Sequence, residues 1–309
     1  MISAEALTKR YGQQVAVDAV DFRVGPGQVT GFLGPNGAGK STTMRMIVGL
    51  DRPTAGRVEV NGKIYREHRA PLREVGVLLD AKAAHPGRSA YKHLLSIAAT
   101  HGIGASRVHE VIGLAGLDSV AGKRVGGFSL GMGQRLGIAA ALIGDPATII
   151  LDEPVNGLDP EGVRWVRTLV RSLAAEGRTV LLSSHLMSEM AQTADRLIVI
   201  GRGRILADGP LDDVIAGATH SVVRVRARDA ERLVATVAGP GVVVSMLSDG
   251  AVEISGLSAE QVAVAASAAG VVLHELGSST GSLEEAYLAL TAGEVEYRSS
   301  AVVGTGAGR

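Results

Sequence analysis

The chain has 309 residues, 46% of them hydrophobic, enough for a well-buried core and for two domains. Its 31 Lys and Arg balance 31 Asp and Glu, and aromatics make up only 3%, so no basic aromatic platform for nucleic acid is expected. Cysteine is absent, which excludes disulfides and thiolate metal sites.

The N-terminus, MISAEALTKRYG, lacks a charged region followed by an apolar one, so no signal peptide is expected. The longest apolar run, residues 262–273, is about a dozen residues long, where a membrane span needs about 20. A soluble chain is expected, with any membrane contact made through a partner. Residues 1 to about 215 alternate short β-branched runs with helical patterns, as in an α/β sheet protein. Residues 29–33 read as a strand running into a glycine loop, with helical sequence from Lys40 and again over residues 91–99. Residues 148–151 and 180–183 are continuous apolar runs, the pattern of strands buried on both faces. Residues 197–200 followed by Gly201-Arg202-Gly203-Arg204 predict a hairpin.

From Thr219 the character changes. Residues 222–226 alternate, 230–237 suit a helix, and 242–254 suggest a hairpin turning at Asp249-Gly250. A second helix over 260–269, an apolar run over 271–276 and an amphipathic helix over 283–290 complete a small α+β pattern. The expected division is 1–217, then 218–297, then a disordered tail over 298–309. The second segment shows no chemistry-bearing constellation; packing or dimer support and regulation are both open to it.

Gly34-Pro35-Asn36-Gly37-Ala38-Gly39-Lys40-Ser41-Thr42 matches G-x4-G-K-[ST] between a strand and a helix. Glycines let backbone N–H groups converge on phosphate oxygens, and the helix N-terminus adds roughly half a positive charge. Lys40 is expected to reach the β- and γ-phosphates of a nucleotide, with the Ser41 hydroxyl a ligand for Mg²⁺. Asp152 and Glu153 end a buried strand, where ligands of parallel sheets bind. Asp152 is placed to hold Mg²⁺ directly or through water, and Glu153 to accept a proton from the attacking water. His185 follows another apolar strand. Alone it is an ordinary surface or core histidine; beside a γ-phosphate it becomes a hydrogen-bond donor.

These motifs, with a Ser-x-Gly loop at Phe128-Ser129-Leu130-Gly131-Met132 ahead of the Asp-Glu strand, resemble those of an ATP-binding cassette ATPase over residues 3 to 215. The resemblance implies a P-loop NTPase fold with an antiparallel β subdomain and a helical subdomain at about 80–140, binding ATP. It implies that Tyr11 stacks on adenine, the alternative being a core aromatic beside a turn. It makes His185 the switch histidine, places Asp159 in the loop Asn156-Gly157-Leu158-Asp159 that passes between paired subunits, and gives Ser129 and Gly131 to the partner's γ-phosphate. The usual signature is LSGGQ, of which only the serine and second glycine persist here. The implied assembly is a two-fold homodimer, or a pair with a second ATPase subunit, with each ATP sandwiched at the interface.

Asp80 stands where family members carry glutamine, in the loop linking the site to the membrane partner. Its carboxylate is one methylene shorter than glutamine and reaches Mg²⁺ through water, with a Coulomb attraction at ~4 Å on the order of several kcal/mol before desolvation; the alternative is a solvated loop acid. By the same resemblance the helical subdomain receives a separately encoded integral-membrane permease, placing the chain peripherally on the cytoplasmic face of the cell membrane. The order Ser129-Leu130-Gly131-Met132 followed by Gln134-Arg135, together with a C-terminal α+β extension ending LEEAYLALT, is similar to bacterial exporters of drugs, antibiotics or lipids. An importer ATPase and a soluble ATPase of an assembly complex are the alternatives.

Overall fold

The computed structural model describes residues 1–80, 83–219, 222–279 and 281–292. The expected tail over 298–309 therefore lies outside the described residues. The chain opens with β1 (Ile2–Tyr11) and β2 (Gln14–Val24), followed by β3 (Gln28–Leu33), α1 (Lys40–Ile47) and β4 (Ala55–Val60). Strands β2-β1-β4 make a three-stranded antiparallel sheet. Next come α2 (Pro71–Glu74), β5 (Val75–Leu78), α3 (Ala90–Ala99), α4 (Ala105–Leu114), α5 (Leu130–Leu142) and β6 (Thr148–Leu151). Then follow α6 (Pro160–Ala175), β7 (Thr179–Ser183), α7 (Met187–Thr193), β8 (Arg196–Gly201), β9 (Arg204–Pro210) and α8 (Leu211–Ala218).

The central sheet has the order β5-β6-β7-β3-β8-β9, parallel except for the β8–β9 hairpin. Its strands are apolar throughout because each face meets a different core. Ile150, Leu181, Ile198 and Phe32 point toward the antiparallel sheet and α1, packing with Ile2, Leu7 and Met44. Their neighbours Ile149, Leu151, Val180, Leu182 and Leu33 point the other way, onto the helices, with Leu94, Leu136 and Val170. The alternation follows from the period of two in a strand. Burying one such side chain contributes roughly 1.5–3 kcal/mol.

Past residue 221 the chain forms β10 (Val222–Ala227), α9 (Ala230–Val237), β11 (Val243–Met246), β12 (Val252–Ser255), α10 (Ala259–Ala268) and β13 (Leu273–Ser279). The order β11-β12-β10-β13 is fully antiparallel, giving the βαββαβ arrangement of ferredoxin-like modules. Val223, Val225, Val252 and Ile254 meet Leu233 and Val262 in a core of their own. Inward and outward residues thus alternate as the sequence pattern anticipates.

The last described helix, α11 (Leu283–Thr291), starts in a capping box between Ser282 and Glu285. It does not stay with the module whose sequence it follows. Leu283 joins the main helical core, flanked by Tyr287 and Leu290, and α11 packs on α8 and α7. An amphipathic helix declares that it has an apolar face, not which core that face meets. The module therefore sits between two helices that both belong to the main core. Its two ends run side by side, since a Cβ at Gly281 would lie 2.3 Å from the Thr219 Cβ.

Replacing residues 220–280 with a short Gly/Ser linker is accordingly expected to leave a cooperatively folded protein, whereas ending the chain at Thr219 strips Leu283 and Ala286 from the core. At roughly 1.5–3 kcal/mol per large buried side chain and about 2–4 °C per kcal/mol, the truncated form should melt several degrees below the linker form. Equal melting temperatures in a thermal scan would remove α11 from the core's ledger.

Candidate nucleotide site

Strand β3 delivers the chain into the glycine loop, and α1 begins at Lys40 with Gly39 as its left-handed N-cap, φ 110°. The loop is pressed against β8: a Cβ at Gly34 would sit 2.3 Å from the Ile200 carbonyl oxygen, so no larger residue fits there. Lys40 Nζ donates to the carbonyls of Gly34 at 2.6 Å and Pro35 at 3.2 Å. Burial lowers the pKa of its ammonium, against the opposing charges of Glu153 and Asp152. Residues Asn36 to Thr42 line a cleft of about 230 Å³ together with Asp152 and Glu153. Loop, lysine and both acids therefore face one space.

What brings the acids there is strand register. Leu78, Leu151 and Leu182 are paired across β5, β6 and β7, so the residues that follow emerge along one edge of the sheet. Asp152 N–H donates to the Leu78 carbonyl at 2.7 Å. Its Oδ2 accepts the Ser41 hydroxyl at 2.8 Å, while Oδ1 accepts the Ser183 hydroxyl. The same Ser183 Oγ accepts the Glu153 N–H at 2.9 Å. One hydroxyl thus joins both carboxylate residues. Asp80 leaves the same edge one strand away and is exposed; its carbonyl accepts the Ala83 N–H at 3.2 Å.

Glu153 has φ 50°, a left-handed conformation in a non-glycine residue. Its carbonyl accepts the Gln134 side-chain amide at 2.9 Å and the Asn156 N–H at 3.1 Å. Its Oε2 lies 2.6 Å from His185 Nδ1. An ionised carboxylate only accepts, so Nδ1 carries the proton; Nε2 then accepts in the neutral ring and donates only in the imidazolium. The expected cluster of Lys40, Ser41, Asp152, Glu153 and His185 is one assembly in space.

Ser129, Gly131 and Asp159 form a separate group. Ser129 caps α5, its Oγ accepting from Met132 N at 3.2 Å, and Asp159 caps α6 by accepting from Gly162 N at 2.8 Å. Gly131 lies against the Gly157-Leu158 backbone, and a Cβ at Gly157 would come within 2.2 Å of the Leu130 side chain. The signature loop therefore touches the Asn156–Asp159 loop of its own chain, and none of these residues lines the cleft.

Tyr11 ends β1 as a residue 48% exposed, so the core-aromatic alternative is excluded. Its hydroxyl donates to Asp51 at 2.8 Å, which raises the phenol's pKa. Arg45 Nε binds the same carboxylate at 2.9 Å and holds it below the usual range. Lys9 Nζ stands 4.9 Å from the ring centroid. A flat, tethered aromatic surface is thereby offered to solvent.

Two residues escape the sequence reading of the site. Ser183 reads only as the end of a strand, although parallel register alone sets it beside Asp152. Gln134 reads only as part of the Gln134-Arg135 pair that follows the Ser-Leu-Gly-Met segment, a pattern that carries no role toward the acids.

A family model described as "ABC transporter" matches residues 17–156. An AAA domain model matches residues 124–191, and a domain of unknown function matches residues 221–284. The bacitracin transport ATP-binding protein of Bacillus licheniformis is 42% identical over 215 residues, covering 69% of this chain and 70% of that one. The daunorubicin resistance ATP-binding protein of Streptomyces coeruleorubidus is 39% identical over 242 residues, 77% of each chain. A solved dimeric bacterial ABC transporter cassette superposes with TM-score 0.63 at 25% identity, covering 68% of this chain and 98% of that one. With motifs, sheet order and relatives in agreement, the chain belongs to the ABC transporter family of ATP-binding ATPases.

Proposed function

We propose that this ATPase works as a head-to-tail pair and drives a separate integral-membrane permease that exports a drug, antibiotic or lipid. The observation that carries the paired reading is the division of the expected site residues into two groups. Lys40, Ser41, Asp152, Glu153 and His185 gather on the cleft and its edge, while Ser129, Gly131 and Asp159 lie off it. A second subunit offering its Ser129 and Gly131 across the cleft completes each site, and the similar cassette solved as a dimer supports that pairing. Export is supported by the named roles of the relatives, bacitracin transport and daunorubicin resistance. Among the described residues no helix is long and apolar enough to cross a membrane, which fits a peripheral place on the cytoplasmic face beneath a permease.

The chain's residues divide the work of hydrolysis. The loop's N–H groups and the start of α1 receive the phosphates, and Lys40 moves from the Gly34 and Pro35 carbonyls to the β- and γ-oxygens. Tyr11 supplies the stacking surface for adenine. Ser41 and Asp152 are hard oxygen donors already 2.8 Å apart, a set that fits Mg²⁺, which takes one or two carboxylates and shares the substrate's phosphates. Held by Ser41 and Asp152, a cation would neutralise charge on the transferring phosphoryl group. Glu153 takes a proton from the attacking water as the new P–O bond forms and the bond to the bridging oxygen breaks, giving ADP and phosphate. His185 stays hydrogen-bonded to Glu153 through Nδ1 and, in its imidazolium form, donates to the γ-phosphate through Nε2.

Glu153→Gln keeps the shape and removes the base, so ATP binding should persist, turnover should fall about 100-fold or more, and an ATP-bound dimer should accumulate in gel filtration. Brisk hydrolysis by that variant would rule Glu153 out. Asp80→Gln restores the usual family residue, and its ATPase activity is expected to respond to Mg²⁺ over a different concentration range from wild type; superimposable titrations would make Asp80 a bystander. Purification from detergent-solubilised membranes should recover an integral-membrane partner whose cargo stimulates ATPase activity. Recovery solely in a soluble complex would overturn the transport reading.

A further inference from the structure

Glu153 is held in its left-handed conformation from two sides. Ser183, at the end of β7, binds its N–H at 2.9 Å. Gln134, in the second turn of α5, binds its carbonyl at 2.9 Å. Gln134 is only 4% exposed, and its amide is the helix's link to this turn. It does not line the cleft and so touches no phosphate. A polar side chain this buried is retained at a cost unless its hydrogen bond matters, and here the bond fixes the peptide plane that follows the base.

We propose that Gln134 is a positioning residue for Glu153, through which the signature helix sets the orientation of the general base. The two ends of that helix's first turns have different addresses. Ser129 caps α5 at its start, where, on the paired reading above, it faces the partner's ATP. Gln134, five residues on, holds the residue that serves the chain's own ATP. A displacement of α5 when the partner's nucleotide is gripped is thus carried by one hydrogen bond to the Glu153 backbone. Misplacing a reacting group by about 1 Å can cost on the order of 100-fold in rate, so a bond of this kind has leverage on turnover. The dimeric consequence rests on the paired reading; the positioning of Glu153 within one subunit does not.

Two variants test the assignment. Gln134→Met keeps the volume and removes the donor; KM for ATP should stay within about two-fold while kcat drops about ten-fold or more, the signature of an interaction felt in the transition state. Gln134→Glu is isosteric and regains a donor only when protonated, and burial raises a carboxyl's pKa toward neutrality. Its kcat relative to wild type should therefore climb several-fold from pH 8.5 to pH 6, while the Gln134→Met ratio stays flat. A merely structural role would not produce that pH-dependent rescue. If both variants turn over within two-fold of wild type, or the Gln134→Glu ratio does not change with pH, the proposal is wrong. A monomeric Glu153→Gln in saturating ATP would instead count against the paired reading, and the kcat loss in Gln134→Met would still stand.

Discussion

The in-register pairing of β5, β6 and β7 is the constraint on which the site depends. Leu78 and Leu151 end β5 and β6 level with Leu182, one residue before the end of β7, and the polar residues that follow are fixed by that alignment. The register itself is held by hydrophobic packing on both faces, with Ile150 and Leu181 in one core and Ile149, Leu151 and Leu182 in the other. Slipping one strand by a residue would exchange the faces of its whole apolar set. In β6 that would drive differently packed side chains into two filled cores and move Asp152 away from Ser41 and Ser183. The carboxylate geometry is therefore a consequence of core packing.

Glu153 shows how a costly conformation survives. A left-handed non-glycine residue costs about 1–3 kcal/mol. Hydrogen bonds from Gln134 and Asn156 to its carbonyl and from its N–H to Ser183 each return about 0.5–1.5 kcal/mol. The two sums are of the same size, so the turn stands while its partners do. The Ser183 hydroxyl has its proton on Asp152 and a lone pair on the Glu153 N–H, which leaves neither acid free to reorient alone.

How much of this was legible in the sequence follows from distance along the chain. The phosphate loop and the Asp152-Glu153 strand end are local patterns, and the structure brings them to one cleft as expected. The βαββαβ order of the small module was equally readable, because alternation and a turn at Asp249-Gly250 mark each strand. Gln134 and Glu153 are 19 residues apart, and nothing periodic connects an amide in one helix to a carbonyl beyond the next strand. The destination of α11 was hidden for a related reason. Its capping box and apolar face are written locally, whereas its neighbours in α7 and α8 are chosen by where the chain returns beside Thr219. Tyr11 lies between these cases: its position beside a turn was readable, but its tether to Asp51 and Arg45 crosses 40 and 34 residues.

Charge bears directly on the proposed pairing. Among the residues lining the cleft, Lys40 is the one cation and Asp152 and Glu153 are anions, so the side chains on their own side are net negative. A polyphosphate entering that space gains from Lys40 and the start of α1 but meets two carboxylates. Ser41 already shares Asp152 at 2.8 Å, the position at which a divalent cation would cancel that repulsion and turn the carboxylate into an asset. On the proposed pairing, the rest of the compensation comes from the open side of the cleft. In this chain a capped helix start with Ser129 and Gly131 is available on a surface away from its own cleft, and its N–H groups favour an anion. Under the proposed pairing, each subunit would carry a donor surface that its own nucleotide does not use and an acceptor cleft that its own donors do not complete, and two copies arranged head to tail would satisfy both at once.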